Sequence, residues 1–136
     1  MEDIDLARSL LEQDKWNLVI VKKGRVVFGS RQRGIAPFYQ AVQSIGKGLH
    51  NAAVADSIVG LAVAMLCLHA QVASVYGGIA SQSALDMLKK KGVAVSSKDT
   101  VPCISNYDGT DLCPFEKLAR DSRDPAELFA NLKSML

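Results

Sequence analysis

Between Asn51 and Gln71 the chain contains a run that only an enclosed position can hold. Its middle, Ile58-Val59-Gly60-Leu61-Ala62-Val63-Ala64-Met65-Leu66-Cys67-Leu68, has no charge and no strong polar group. An element apolar all round belongs in a core or a bilayer. A membrane span needs about 20 apolar residues, and Asp56 and His69 bracket this shorter run. The reading is therefore a central buried helix over 51–71 with Asp56 and Ser57 at its entrance, and no membrane partner. The 136 residues suffice to build a core around it as one domain, 1–136.

The remaining composition is that of a globular chain, 49% hydrophobic and 22% charged. Sixteen basic against fourteen acidic residues leave +2, which gives no argument for nucleic acid as a partner. The opening Met1-Glu2-Asp3-Ile4-Asp5 is acidic and shows no secretory pattern, and Cys67, Cys103 and Cys113 are odd in number. A reduced, cytoplasmic setting is expected from both.

Along the chain, Glu2 to Asp14 reads as a helix with Ile4, Leu6, Leu10 and Leu11 on one face. Leu18–Val21 and Val26–Phe28 flank Lys22-Lys23-Gly24-Arg25 as a hairpin. Pro37 opens a helix through Ile45. After the central helix, Val72–Tyr76 reads as a strand closed by Gly77-Gly78. Ser81 caps the next helix, which ends at Lys89-Lys90-Lys91-Gly92. Val93–Val95 is a fourth strand and Val101–Ile104 a short candidate fifth, followed by a polar turn over Asn106–Asp111. Cys113-Pro114-Phe115-Glu116 then starts a helix with Cys113 at N-cap, and Asp124-Pro125-Ala126-Glu127 starts the last. Strand–helix–strand steps beside an antiparallel hairpin predict an α/β fold, a three-layer α/β/α sandwich on a mixed sheet of 4-5 strands.

This order resembles the cytidine deaminase fold. More closely, the chain is similar to a small microbial family of that fold, catalogued as a domain of unknown function. The residues carrying the resemblance are Ala55-Asp56-Ser57-Ile58-Val59-Gly60-Leu61-Ala62, Ile79-Ala80-Ser81-Gln82-Ser83-Ala84, Val101-Pro102-Cys103-Ile104-Ser105-Asn106 and Cys113-Pro114-Phe115-Glu116. Zinc deaminases carry a His or Cys with a catalytic Glu at the start of the central helix, and C-x-x-C at the start of the next. The sequence reading places Ala55-Asp56-Ser57 and Ser81-Gln82-Ser83-Ala84 there. One carboxylate and hydroxyls make a poor zinc site, so no metal, no cofactor and no zinc deaminase chemistry are expected.

The resemblance without its metal ligands implies a non-catalytic protein that binds a small, nucleotide-like ligand at the N-termini of helices starting near Asp56 and Ser81. Ligand contacts are assigned to Asp56, Ser57, Gly77, Gly78, Ser81, Asn106 and Glu116. Gly77-Gly78 is read first as a plain tight turn with a serine cap, and alternatively as a loop that lets backbone N–H groups approach a ligand. Cys113 is the candidate catalytic residue of an alternative zinc-independent enzyme, with Asp56 or His50 as base. Cys103, Cys113 and His50 match no standard zinc spacing. The basic stretch Lys22, Lys23, Arg25, Arg31 and Arg33 reads as a charged hairpin edge or as a phosphate-facing rim. A third alternative is a structural protein that assembles as a homo-oligomer through its apolar helix.

Overall fold

A computed structural model describes residues 2–105 and 111–136 of the chain. A five-stranded sheet of order β2-β1-β3-β4-β5 forms its middle. Helix α1 (Asp3–Gln13) precedes the hairpin β1 (Leu18–Lys22) and β2 (Arg25–Ser30). Lys23 and Gly24 take φ of 53° and 75° at its turn. The Asp3 carboxylate holds that turn, accepting from Lys23 N at 2.9 Å and Gly24 N at 2.8 Å. Helix α2 (Ala36–Ile45) leads through a 3₁₀ turn at Gly46–Leu49 to β3 (Ala53–Val59), α3 (Leu61–Ala70), β4 (Ser74–Ser81), α4 (Gln82–Lys90) and β5 (Ala94–Val101). Helices α5 (Pro114–Asp121) and α6 (Pro125–Leu132) complete the described chain, with a last 3₁₀ turn at Lys133–Met135.

Strand β1 pairs antiparallel with β2 and β3, whereas β3, β4 and β5 run parallel. The sheet is thus mixed and covered by helices on both faces, as the sequence implied. The coverage is unequal. Helices α2 to α6 share one core, in which Phe38, Leu49, Val54, Val59, Leu66, Leu88, Leu128 and Leu132 are buried. On the other face α1 packs Ala7 and Leu11 against Val19, Val21, Ala55 and Tyr76.

The 51–71 run is not one helix. It is strand β3, then Gly60, then α3. A strand sandwiched between helical layers is apolar on both faces, so its sequence loses the alternation that marks a strand. Val54 faces the large core and Ala55 the small one. Asp56 therefore lies within β3 and not at a helix entrance. Eight of the ten residues of α3 are buried, so its apolar surface is spent within the protomer and is not available for assembly.

Two further corrections follow. Gly77 and Gly78 do not close a strand, because β4 runs through them to Ser81. A Cβ at Gly77 would meet Val59 Cγ2 at 3.0 Å, and one at Gly78 would meet the Ser57 carbonyl oxygen at 2.8 Å. They are glycine because β3 approaches there, not because the chain turns. The two segments Val93–Val95 and Val101–Ile104 are not separate strands. β5 takes in Ala94 to Val101 and ends there, and the fifth strand is β3. Asn106 and, up to Thr110, the polar turn expected over Asn106–Asp111 lie outside the described residues.

Candidate functional site

The C-terminal end of β3 and the starts of α2 and α3 enclose a cavity of about 230 Å³. Gly34 and Ile35 border it from just before α2, Gly60, Ala62 and Val63 from the N-cap and first turn of α3, and Ile104 and Phe115 close it. Its polar groups are few: Asp56, Ser105, Cys113 and Glu116.

Asp56 is 7% exposed. Its Oδ1 accepts from Ile58 N at 3.3 Å. Burial pushes its carboxyl pKa up to about 7, against the opposing pull of the Ile58 and Ser57 backbone N–H groups. Burial, and to a lesser extent the same acid, pushes the Cys67 thiol of α3 up.

Glu116 is 2% exposed and stands at the third position of α5. In a local capping box it would turn back on its own helix. Instead it crosses to α3, where Oε1 accepts from Ala62 N at 3.4 Å. Gly60, the N-cap of α3, makes that approach feasible: a Cβ there would collide with Glu116 Oε1 and lie 2.9 Å from Ile104 Cγ1. The carboxylate supplies negative charge where the α3 dipole favours it. Burial still raises the Glu116 pKa, with the Ala62 and Leu61 N–H groups acting the other way. Among the described residues Oε2 is buried without a hydrogen-bond partner, which is costly in a native interior.

The sequence-derived residues divide among several places. Asp56, Glu116 and Cys113 come together on this cavity. Cys113 occupies the N-cap position of α5, but its side chain makes no capping hydrogen bond. Ser57 lies on the adjoining surface, where a second cavity of about 290 Å³ is lined by Asn17, Arg33, Ser57, Ile58 and Ile79. Gly77 and Gly78 are in β4. Ser81 is fully buried, and its hydroxyl accepts from Ala84 N at 3.2 Å as the cap of α4. His50 lines a separate cavity with His69, whose ring stacks on Phe129 at 4.6 Å. Of the two bases considered for Cys113, Asp56 shares its cavity and His50 does not. Gly34, Ile35, Gly60 and Ile104 were not assigned to a site by the sequence reading. Gly60 had left a signal, as the one glycine inside an otherwise unbroken apolar run.

The added strand also moves the positions to be compared with zinc deaminases. The first helix after the hairpin is α2, and the helix after the next strand is α3. Their starts carry Ile35-Ala36-Pro37-Phe38-Tyr39 and Gly60-Leu61-Ala62-Val63-Ala64, with no His, Cys or Glu. Both border the same cavity. Its donor set does not fit zinc, because the helix starts offer no ligand and Glu116 is tied to α3. Among the described residues no group of three His, Cys, Asp or Glu could hold a metal ion, and no helix is long and apolar enough to cross a membrane.

Over residues 6–136 the sequence matches the TM1506 family, described as a domain of unknown function, DUF1893. The crystal structure of a DUF1893 family protein from Thermotoga maritima superposes with a TM-score of 0.87 at 26% identity, covering 98% of this chain and 90% of that one. Acinetobacter baumannii RibD (form 2) gives a TM-score of 0.52 at 17% identity, over 70% of this chain and 34% of that one. A diaminohydroxyphosphoribosylaminopyrimidine deaminase/5-amino-6-(5-phosphoribosylamino)uracil reductase from Thermotoga maritima gives 0.50 at 14%, over 85% and 38%. These last two likenesses concern the fold alone. No curated protein matches the sequence.

Proposed function

The chain belongs to the TM1506 (DUF1893) family, with a deaminase-like fold, and from that premise we propose that it binds a small nitrogen-bearing ring, nucleobase-like in size, in the cavity between β3, α2, α3 and α5. The observation that carries this reading is the pair of buried carboxyl groups on one apolar cavity, Asp56 and Glu116, the latter with Oε2 unpartnered among the described residues. A largely apolar concavity with a few convergent polar groups is the usual form of a small-molecule site. The volume of about 230 Å³ lies below the roughly 300 Å³ at which drug-sized pockets begin, so it suits one ring system. Carboxyl groups select donors: an exocyclic amine, a ring N–H or a protonated ring nitrogen satisfies Glu116 Oε2, and Asp56 can accept or, when protonated, donate.

The α3 N-terminus does not argue for an anion in this lobe, since Glu116 already occupies it. The ligand site thus keeps Asp56 and Glu116 from the sequence-derived set and centres on β3–α3.

Titration calorimetry against purine and pyrimidine bases and nucleosides tests the reading. Binding that weakens at least tenfold in Asp56→Asn supports it. Absence of binding by every amino-bearing ring, or binding indifferent to both Asp56→Asn and Glu116→Gln, overturns it. A zinc-independent enzyme using Cys113 remains the second reading, favoured by the cavity that Cys113 shares with Asp56. Thiol labelling against pH decides it: a Cys113 that labels no faster than a free thiol near neutrality removes the case. A homo-oligomer would use surface other than α3, such as Val26 and Val27 on edge strand β2, 50% and 39% exposed. Light scattering showing a monomer rejects assembly.

A further inference from the structure

Beside the acidic cavity lies one of opposite character. Ile58 lines both, and the loop before α2 contributes Gly34 to the first and Arg33 to the second. The second is a shallow space of about 290 Å³ whose polar lining is Asn17, Arg33 and Ser57. Among the described residues it contains no acid. Arg33 is exposed and has no ion-pair partner among the described residues. Its neighbour Arg31 is committed elsewhere, lying 4.2 Å over the Trp16 ring with Nη2 donating to the Asp14 carbonyl at 3.4 Å. Lys22 likewise donates to the Gly48 carbonyl at 3.1 Å. Of these three basic residues of the hairpin region, Arg33 is the one left unengaged at a cavity.

The loop that holds Arg33 is anchored at both ends. Asn17 Nδ2 donates to the Arg31 carbonyl at 2.6 Å, and the Asn17 carbonyl accepts from Ser57 N at 3.0 Å. Asn17 therefore ties the Arg31 end of the loop to β3 at the edge of the second cavity. On the other side Ile35 is buried at the start of α2. Ile58, which lines both lobes, is 48% exposed and paired in register with exposed Ile79. An apolar ridge of this kind gives a ligand something to pass over, with an acceptor-rich end on one side and a cation on the other.

We propose that the two cavities form one bipolar site, and that its ligand is an amino-bearing ring joined by a short linker to a phosphate. The ring enters the Asp56–Glu116 lobe, and the phosphate meets the Arg33 guanidinium with help from the Ser57 hydroxyl. Arginine suits this role because its planar fork matches phosphate oxygens. This inference rests on the ring-binding reading above and adds the ligand's charged end. A ring without a tail would leave Arg33 unused, and free phosphate would leave the acids unused.

The test is calorimetry of the full chain with cytidine, cytidine 5′-monophosphate, adenosine, adenosine 5′-monophosphate and inorganic phosphate, on wild type and Arg33→Gln. Arg33 is exposed, so its replacement leaves the core untouched. The expected result is a monophosphate that binds at least tenfold tighter than its nucleoside, with Arg33→Gln erasing the difference and leaving nucleoside binding in place. Nucleosides that bind while the phosphate adds nothing, or a gain that survives Arg33→Gln, overturn the bipolar site and leave the ring reading standing. Arg33-dependent binding of inorganic phosphate without any nucleoside or nucleotide binding overturns the ring lobe instead. No binding of any probe overturns both.

Discussion

Two strand-to-helix corners sit side by side in this fold and are built in opposite ways. At β4–α4, Ser81 ends the strand, turns the corner and caps its own helix, with Ala84 N donating to Ser81 Oγ at 3.2 Å. At β3–α3 the corner residue is Gly60, which has no side chain to offer. The cap there is Glu116, arriving from α5 to accept from Ala62 N. The local solution fills its corner with a neutral hydroxyl. The distant solution brings a carboxyl group into the interior beside Asp56, leaves one oxygen unpartnered, and encloses a cavity. A neutral cap is cheap to bury and an acid is not, so the β3–α3 corner holds its acids at a cost to stability that the β4–α4 corner does not carry.

The largest expected effect is on the pH dependence of stability, and it is confined to the acidic corner. Asp56 has its pKa raised from 3.8 to about 7 on folding. Between those values the folded protein holds a proton that the unfolded chain has lost. Stability therefore falls as pH rises through that window and levels off above about pH 7. The interval corresponds to at most roughly 4 kcal/mol. Urea unfolding from pH 4 to 8 measures it. Asp56→Asn removes most of the slope and is the more stable protein at pH 8. Glu116 titrates in the same sense, so a smaller slope persists in that variant. A wild type whose stability is flat across the window would erase the contrast between the corners.

Next in size is Gly60→Ala. The backbone of Gly60, at φ −96°, suits any residue, so the effect is one of space. The added Cβ must displace the Glu116 carboxyl and Ile104. Overpacking and a weakened buried cap together cost about 2–4 kcal/mol. Thermal unfolding reads this as a lowered Tm, and the double variant Gly60→Ala/Glu116→Ala regains part of the loss if the collision is the cause. Equal stability of Gly60→Ala and wild type would mean that Glu116 is not held as described.

The same contrast explains what could be read in the sequence. Ser81 was legible as a cap because its partner is three residues away, and Pro114 and Pro125 marked their helix starts by the same local rules. The hairpin was legible from Gly24 and its flanking apolar runs. β3 was not, because Val54 and Ala55 serve two cores at once and the strand joins α3 with no charged residue between Ser57 and Leu61. Gly77 and Gly78 looked like a turn, since nothing in their own neighbourhood shows that β3 presses on them. Asp56 and Glu116 were both singled out, yet their meeting depends on α5 packing over α3, a contact 54 residues long in sequence for Ala62 and Glu116. Sequence rules reach as far as one turn of helix, and the candidate site is assembled from pieces much farther apart.

The smallest effect belongs to the β4–α4 corner and serves as the control. Ser81→Ala removes one N-cap hydrogen bond at a fully buried position. Loss of a serine cap costs about 1 kcal/mol. The hydroxyl also lies 3.2 Å from Ser83 Oγ, which keeps a local oxygen near the helix start and holds the loss to that level. Because Ser81 is uncharged, the variant should lower stability by the same amount at pH 4 and at pH 8, parallel to wild type throughout. Urea unfolding at both pH values checks this. A loss that grew with pH would mean that the neutral corner feels the charge of Asp56, whose register partner Gly77 lies four residues before Ser81 on β4, and the two corners would then have to be treated as one coupled unit.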